Sequence, residues 1–403
     1  MTDVSPPVGR TARLSRVILR NYRSIAACDV ALGPLTFLVG PNGAGKSSFL
    51  DGLRLVSEAL RTSLDHALRD RGGVAEVRRR SSGHPTNFGI RLEFILADGR
   101  PGHFAFEVGA RTAGAYVVQT EQCAVGHEQY RVEQGVVKVA PAAVSPPAAD
   151  DRLYLVNAAG LPSFRPVFDL LSTMGFYSLN PDRIRDLQPP DKGDLLARDG
   201  SNLASVLGRL AQVDSGKTKA RIEEYLSKIV PGIESVDRVA VGHMETLQFR
   251  QRVEGAEHPW RFNAINMSDG TLRALGVLVA LFQARVDRRI PVVGVEEPEV
   301  ALHPAAAGLL RDALREGSRQ VQVIVTSHSP DLLDDPSIDD SQVFAVVNID
   351  GTSRIARLDA ASRSILHDRL YTAGEMLRTN QLAPDLDAVP GPEQLRLFEV
   401  AAP

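Results

Sequence analysis

The sequence predicts an α/β fold: a parallel sheet with helices against it, extended by an antiparallel β meander and a helical insertion. Three observations predict it. Short apolar runs at Leu35–Val39, Pro291–Val295 and Gln322–Val325 each stop at glycine or polar residues, as strands do where a sheet ends in a site. A glycine-rich loop, Gly40–Ser47, stands between the first run and a helical pattern at Ser48–Leu60, giving strand, loop and helix in order. Residues 89–139 alternate apolar and polar side chains in short runs separated by turn residues, the pattern of half-buried antiparallel strands.

Composition narrows the class. At roughly 100–200 residues per domain, 403 residues make two or three lobes, or one large α/β domain with insertions. Apolar residues are 43% of the chain, enough for a large core without disulfides or structural metals. The net charge of −3 excludes a general polyanion binder, so any nucleic-acid surface is a local patch. Cys28 and Cys123 have no CxxC spacing and read as small buried hydrophobes of a reducing compartment. No secretion-signal run opens the sequence. The longest apolar stretch, ending at Ala280–Phe282, falls far short of the ~20 residues of a membrane span. The expectation is a cytoplasmic protein without membrane contact.

Taken in order, residues 1–12 read as a loose leader. "RVILRNYRSI", within Arg13–Asp29, alternates apolar residues and reads as strand, turn, strand. Residues 61–85 are charged and helical, ending at Arg78-Arg79-Arg80 and a Ser-Gly-His-Pro loop. In the meander that follows, "ADGR" is a hairpin turn. Ala140–Asp151, rich in proline and alanine, is an exposed connector. Residues 163–230 read as largely helical, broken at "LQPPDKGD", and without the sustained heptads of a long coiled coil. Residues 236–264 return to strand-like alternation. The expected units are an N-terminal lobe at 13–139, a connector and mainly helical insertion at 140–235, a C-terminal lobe at 236–383 and a Pro-rich tail at 384–403.

The chemistry gathers at a few places. Gly40–Ser47 is a complete GxxxxGK(S/T) loop. A triphosphate is a dense negative charge, and backbone N–H groups wrap it only where glycine allows tight turns and close approach. The following helix start adds partial positive charge. Asn42, Gly43, Gly45, Lys46, Ser47 and Ser48 are therefore candidate ATP ligands. Lys46 would reach the β- and γ-phosphates and act in catalysis, and the Ser47 hydroxyl would ligate Mg²⁺. The second place, Pro291–Pro304, is an apolar run ending in Glu296 and Glu297. Glu296 is assigned to Mg²⁺, through water, and Glu297 to the general base that polarises the attacking water. Alone, this stretch also fits two surface acids. The third, "QVIVTSHSP" at Gln322–Pro330, ends a strand in Thr326, Ser327 and His328. His328 can hydrogen-bond a γ-phosphate, although a lone histidine is commonly structural. Finally, Ser268 and Gly270 open a strongly apolar helix within Asn266–Phe282, fit either to face a phosphate of a neighbouring molecule or to make an ordinary N-cap.

Together these residues resemble the ABC-type P-loop ATPase heads of the SMC, RecF and OLD group. They are closer still to stand-alone bacterial "predicted ATPase" members of the AAA-family ATPases. "GPNGAGKSS" resembles Walker A, "MSDGTLR" the signature, "EEPEVALHP" the Walker B and D-loop, and "TSHSP" the switch-histidine loop. In "LRNYRSI", Arg23 and Ser24 match a pair that lies near the nucleotide; "DGSNLASVL" and "YTAGEML" also resemble this branch. The motifs span residues 13–380 in the expected order. The resemblance implies a two-lobed head and a homodimer formed on ATP binding, with Ser268 of one copy facing the P-loop of the other. Departures are Glu296 where most relatives carry aspartate and Asp269 where transporters carry glycine. No nuclease-type domain is expected after the last motif. Gln119 and Gln122 are candidates for the Q-loop glutamine by residue type alone.

Two functions follow. In the first, ATP-driven head dimerisation switches action on DNA or a DNA-associated partner, with basic clusters at Arg10–Arg23 and Arg69–Arg80 as candidate contacts or solvated faces. In the second, the protein is the ATPase sensor of a bacterial defence or toxin system whose effector is a separate protein. A transporter subunit fits poorly because the signature departs from LSGGQ. A kinase lacks a second substrate pocket.

Overall fold

The computed structural model describes residues 11–81, 85–140, 145–285 and 290–399. Residues 1–10 of the expected leader, 82–84 of the Ser-Gly-His-Pro loop, 141–144 of the connector and 400–403 of the expected tail lie outside them.

Sixteen strands form among the described residues. They are β1 Arg13–Tyr22, β2 Ile25–Ala31, β3 Leu35–Val39, β4 Asn87–Ile95, β5 Pro101–Ala110, β6 Tyr116–Val125, β7 Glu128–Glu133, β8 Val136–Val139, β9 Gly175–Tyr177, β10 Ile233–Val241, β11 Met244–Gln251, β12 Trp260–Asn263, β13 Val292–Glu296, β14 Gln322–Ser327, β15 Val343–Ile349 and β16 Thr352–Arg357. Thirteen make one sheet in the order β8-β7-β6-β5-β4-β1-β2-β16-β15-β3-β14-β13-β9, and β10-β11-β12 make a second. From β15 to β9 the neighbours run parallel. From β8 to β2 they run antiparallel.

The parallel strands are covered on both faces, which is why their sequences read as unbroken apolar runs. In β3, Leu38 faces one core while Leu35, Phe37 and Val39 face the other; Ile324 against Val323 and Val325 divides β14 in the same way. The first core holds the apolar face of the helix Lys46–Arg61, with Phe49, Leu50, Leu53, Val56 and Leu60 buried. The second holds the helix Asp269–Phe282 and those at Leu203–Leu210, Lys217–Ile229 and Ala307–Gly317. Each large apolar side chain so buried contributes about 1.5–3 kcal/mol.

The structure differs from the sequence reading inside 163–230, where Gly175–Tyr177 is a strand and not helix. Three residues are too few to show a period, and β9 gains its place by pairing with β13. Residues 343–357, which show no motif, fold as β15 and β16 and join the parallel strands to the antiparallel ones. Cys28 and Cys123 are free and buried. No helix among the described residues is long and apolar enough to cross a membrane.

Candidate nucleotide site

The register of the parallel strands builds the site. Val39 pairs with Ser327, and Glu296 pairs with Thr326. The carboxyl ends of β3, β14 and β13 therefore lie side by side and release Gly40, His328 and Glu297 on one edge. That edge is where open α/β sheets bind ligands.

The glycine loop turns there into the helix Lys46–Arg61. Gly45 is its N-cap at φ 110°, with no side-chain cap, so the first-turn N–H groups have no side-chain acceptor at the cap. A side chain at Gly45 would collide with Ser353, which fixes glycine at this position. Lys46 is buried, and its Nζ donates to the carbonyls of Gly40 at 2.8 Å and Pro41 at 3.0 Å. Burial lowers the Lys46 ammonium below its ordinary range, opposed by the charges of Glu297 and Glu299. Asn42, Gly43 and Ser47 are exposed on the rim.

The acids converge on the same edge. Glu297 adopts φ 44°, a left-handed conformation costly for a residue with a side chain. Its N–H donates to the Thr326 carbonyl at 2.9 Å. Its Oε1 lies 3.3 Å from His328 Nδ1 and 3.9 Å from Lys46 Nζ. Glu296 Oε1 accepts from Arg198 Nη2 at 3.1 Å. Glu299, a third acid two residues on, is buried and accepts from the Ser327 hydroxyl at 2.6 Å. Burial raises its carboxyl, and the Ser327 hydrogen bond opposes the rise.

Arg23 and Ser24 reach the site from the β1–β2 turn. Ser24 Oγ lies 3.3 Å from Ser48 Oγ and accepts from Ser353 Oγ at 2.7 Å. Arg23, at φ 48°, pairs with Asp51 of the P-loop helix at 2.9 Å. Asp51 also pairs with Arg71 and Arg54 and accepts from the Tyr22 hydroxyl. Burial pushes the Asp51 carboxyl up, but Arg71, Arg54, Arg23 and Tyr22 together hold it below its usual range.

The structure thus brings together Arg23, Ser24, the glycine loop, Glu296, Glu297 and His328. Ser268 and Gly270 stand elsewhere. Among the described residues Ser268 bonds to Thr271 at its own helix start, an N-cap, and to no residue of the glycine loop. A side chain at Gly270 would collide with the Ala301 carbonyl, so the helix start packs on the loop after Glu297. Asp269 is paired with Arg185 at 2.5 Å. Sequence reading missed Arg198, Ser353 and Asp51; only Glu299, the third acid of "EEPE", carried a local signal. Gln119 and Gln122 lie on β6, which six strands separate from β3. Neither is at the site; Gln122 bonds instead to the main chain of Glu399.

The arginine clusters are largely paired internally: Arg78 donates to the Pro85 carbonyl and Arg79 to the Thr352 hydroxyl, and Arg13 is exposed. Arg16, Arg20, Arg23, Arg69, Arg71 and Arg80 each pair with a carboxylate. Arg10 lies outside the described residues.

The site's residues fit a nucleotide and its metal: a glycine cradle at an uncapped helix start, a buried lysine and two acids at strand ends. Residues 163–334 match the family described as AAA domain, putative AbiEii toxin, Type IV TA system, and residues 13–97 match AAA ATPase domain. The chain is 52% identical over 44 residues to the DNA replication and repair protein RecF of Vibrio vulnificus, covering 11% of this chain and 12% of that one. It is 34% identical over 106 residues to RecF of Magnetococcus marinus, covering 26% and 27%. A 43-residue stretch is 49% identical to the OLD nuclease of Thermus scotoductus, covering 11% and 8%. The chain thus matches only a minor share of each relative's length. In fold it is similar to an Smc head bound to the C-winged helix domain of ScpA, at TM-score 0.54 and 12% identity, covering 86% and 98%. A Pyrococcus furiosus Smc head bound to the C-terminal domain of ScpA gives TM-score 0.56 and 11% identity, covering 89% and 100%.

Proposed function

We propose that this chain, an SMC/RecF/OLD-like ABC-type ATPase, hydrolyses ATP and uses the nucleotide to join and separate a pair of its heads. The observation that carries the hydrolytic reading is the Glu297 carboxylate. It is held between Lys46 and His328 at the end of β13, with β14 between it and the P-loop strand β3. Lys46, satisfied by two carbonyls here, would exchange them for phosphate oxygens. Glu297 would take a proton from water, and His328, on the same carboxylate, would sense the γ-phosphate. Ser47 and Glu296 would hold Mg²⁺, with Arg198 orienting Glu296. The metal, when bound, neutralises phosphate charge.

The dimer reading is supported by the helix start at Ser268. A second helix start, opening an apolar helix and making no hydrogen bond to the glycine loop among the described residues, is suited to face a phosphate of another copy. In this reading binding closes the dimer and hydrolysis opens it. We assign its output to DNA or a DNA-associated partner, supported by the RecF relatives. The alternative is a regulatory ATPase of a bacterial defence or toxin system, acting through a separately encoded effector. The family description over 163–334 favours that second output.

Phosphate release by the wild type and its Glu297→Gln variant tests the hydrolytic reading. Turnover should fall about 10²–10⁴-fold, the range of a lost general base, with fluorescent-ATP binding retained. Equal turnover would refute the assignment. Salt-sensitive, ATP-dependent retention of DNA on a filter would support the first output; none, with a co-purifying partner, would support the second.

A further inference from the structure

The expected Pro-rich tail is not loose where it is described. After a turn at 392–394, the segment 395–399 lies against β1, β2, β4, β5 and β6, touching Ile18, Ala27, Gly89, His103 and Gln122. Exposure alternates along it: Leu395 and Leu397 are buried at 6% and 2%, while Gln394, Arg396 and Glu399 face out. The leucines pack with Ile18 and Ala27, outward residues of β1 and β2. Leu397 fills a notch left by Gly89, where any side chain would collide with it.

The main chain is recognised as well. Gln122, buried on β6, accepts from the Glu399 N–H at 2.9 Å and donates to the Glu399 carbonyl at 3.3 Å. Arg91, buried on β4, donates to the Leu397 carbonyl at 3.0 Å and to the Glu399 carboxylate at 3.0 Å. The Arg131 guanidinium stacks over Phe398, 5.7 Å from the ring centre. Main-chain clasps give affinity and alternate side-chain notches give specificity, the division of labour by which sheets recognise extended peptides. By contrast, Leu386, Asp387 and Ala388 in the preceding linker are exposed. A cavity of about 670 Å³ remains beside the segment, between Arg16, Glu93 and Phe398.

We propose that this face is a peptide-recognition site and that residues 394–399 are its ligand, bound as a tethered strap. The site takes a segment with leucines at alternate positions followed by an aromatic residue and a glutamate. The linker connects the strap to the helix Ala373–Arg378, whose Arg378 pairs with Asp331 and Asp334 just after the switch-histidine loop. The strap therefore ties that loop's neighbourhood to the meander lobe. A tether of this length holds its ligand at roughly millimolar effective concentration, so free peptide competes poorly while the strap is in place. This inference does not depend on the ATPase reading.

The test uses the full chain carrying Leu395→Asp and Leu397→Asp, titrated with a fluorescein-labelled peptide of residues 392–399. The variant should bind it saturably and at least tenfold more tightly than the wild type. Adding Gln122→Ala should weaken that binding at least fivefold. Should the tail variant fail to fold, a protease site placed at Leu386–Ala388 of the otherwise native chain replaces it. After cleavage the strap should co-elute with the body and exchange for labelled peptide. A folded tail variant that binds no peptide, or binds it as the wild type does, overturns the proposal, as does a cleaved strap that leaves and cannot be replaced.

Discussion

At Glu297 the backbone is held at φ 44° by its N–H bond to Thr326, and the side chain is set between a lysine and a histidine. Strain at a non-glycine residue persists only where the surroundings over-determine it, and here they fix the carboxylate's position. Lys46→Ala removes the buried charge from the glycine loop and should abolish ATP binding in a fluorescence titration, with the fold retained by circular dichroism. Arg71 is a different case, a structural cation 1% exposed that joins Asp51 and Glu58 of the P-loop helix. Arg71→Ala leaves Asp51 without its main partner and should cost about 3–5 kcal/mol in urea unfolding. Glu121 gives a pH signature. It is fully buried and accepts from Tyr130 and from the Tyr154 and Leu155 N–H groups, and burial lifts its carboxyl to about 7. Its folded pKa thus lies above its unfolded value near 4.5, so the folded state holds the proton more tightly. That stability is full below about pH 4.5 and is lost as pH rises through 7, a swing of about 3 kcal/mol. Unfolding at pH 5 and pH 8 should show this swing in the wild type and its loss in Glu121→Gln; an equal slope in both would contradict it.

Among the elements, those with a closing motif or a repeating pattern were legible in the sequence, and those that exist only through distant pairing were not. Strands β3, β13 and β14 could be read because each is an apolar run closed by a polar motif, and the meander because its alternation repeats over five strands. The P-loop helix and the helix Asp269–Phe282 declared themselves by a glycine loop and by a serine N-cap. β9 was hidden because three residues carry no period and the strand exists only against β13. Arg198 was hidden for a related reason: it meets Glu296 across 98 positions, and Ser353 meets Ser24 across 329. Such pairs are products of topology, and no local window contains them. Ser268 shows the opposite limit, since its sequence fits two roles and its observed hydrogen bonds are those of a cap. Ser268→Arg tests the cross-subunit role. Nucleotide binding should persist while ATP-dependent association is lost, whereas a cap-only role would leave association unchanged.

At the scale of the molecule, the sheet has a parallel half that carries the candidate site and an antiparallel half. Parallel strands from β15 to β9 present the site at their carboxyl ends, and the antiparallel strands carry the Arg23–Ser24 turn to it. The site gathers the glycine loop, Glu297 and His328, while Ser268 bonds to Thr271 at its own helix start. Under the proposed function, two heads would exchange Ser268 between their sites. Molecular mass in solution, measured for Glu297→Gln with and without ATP and Mg²⁺, tests this most directly. The mass should double with ATP and Mg²⁺ and return to the monomer value when they are removed. A mass that does not respond to nucleotide, in a variant shown to bind it, would contradict the exchange of serines between heads.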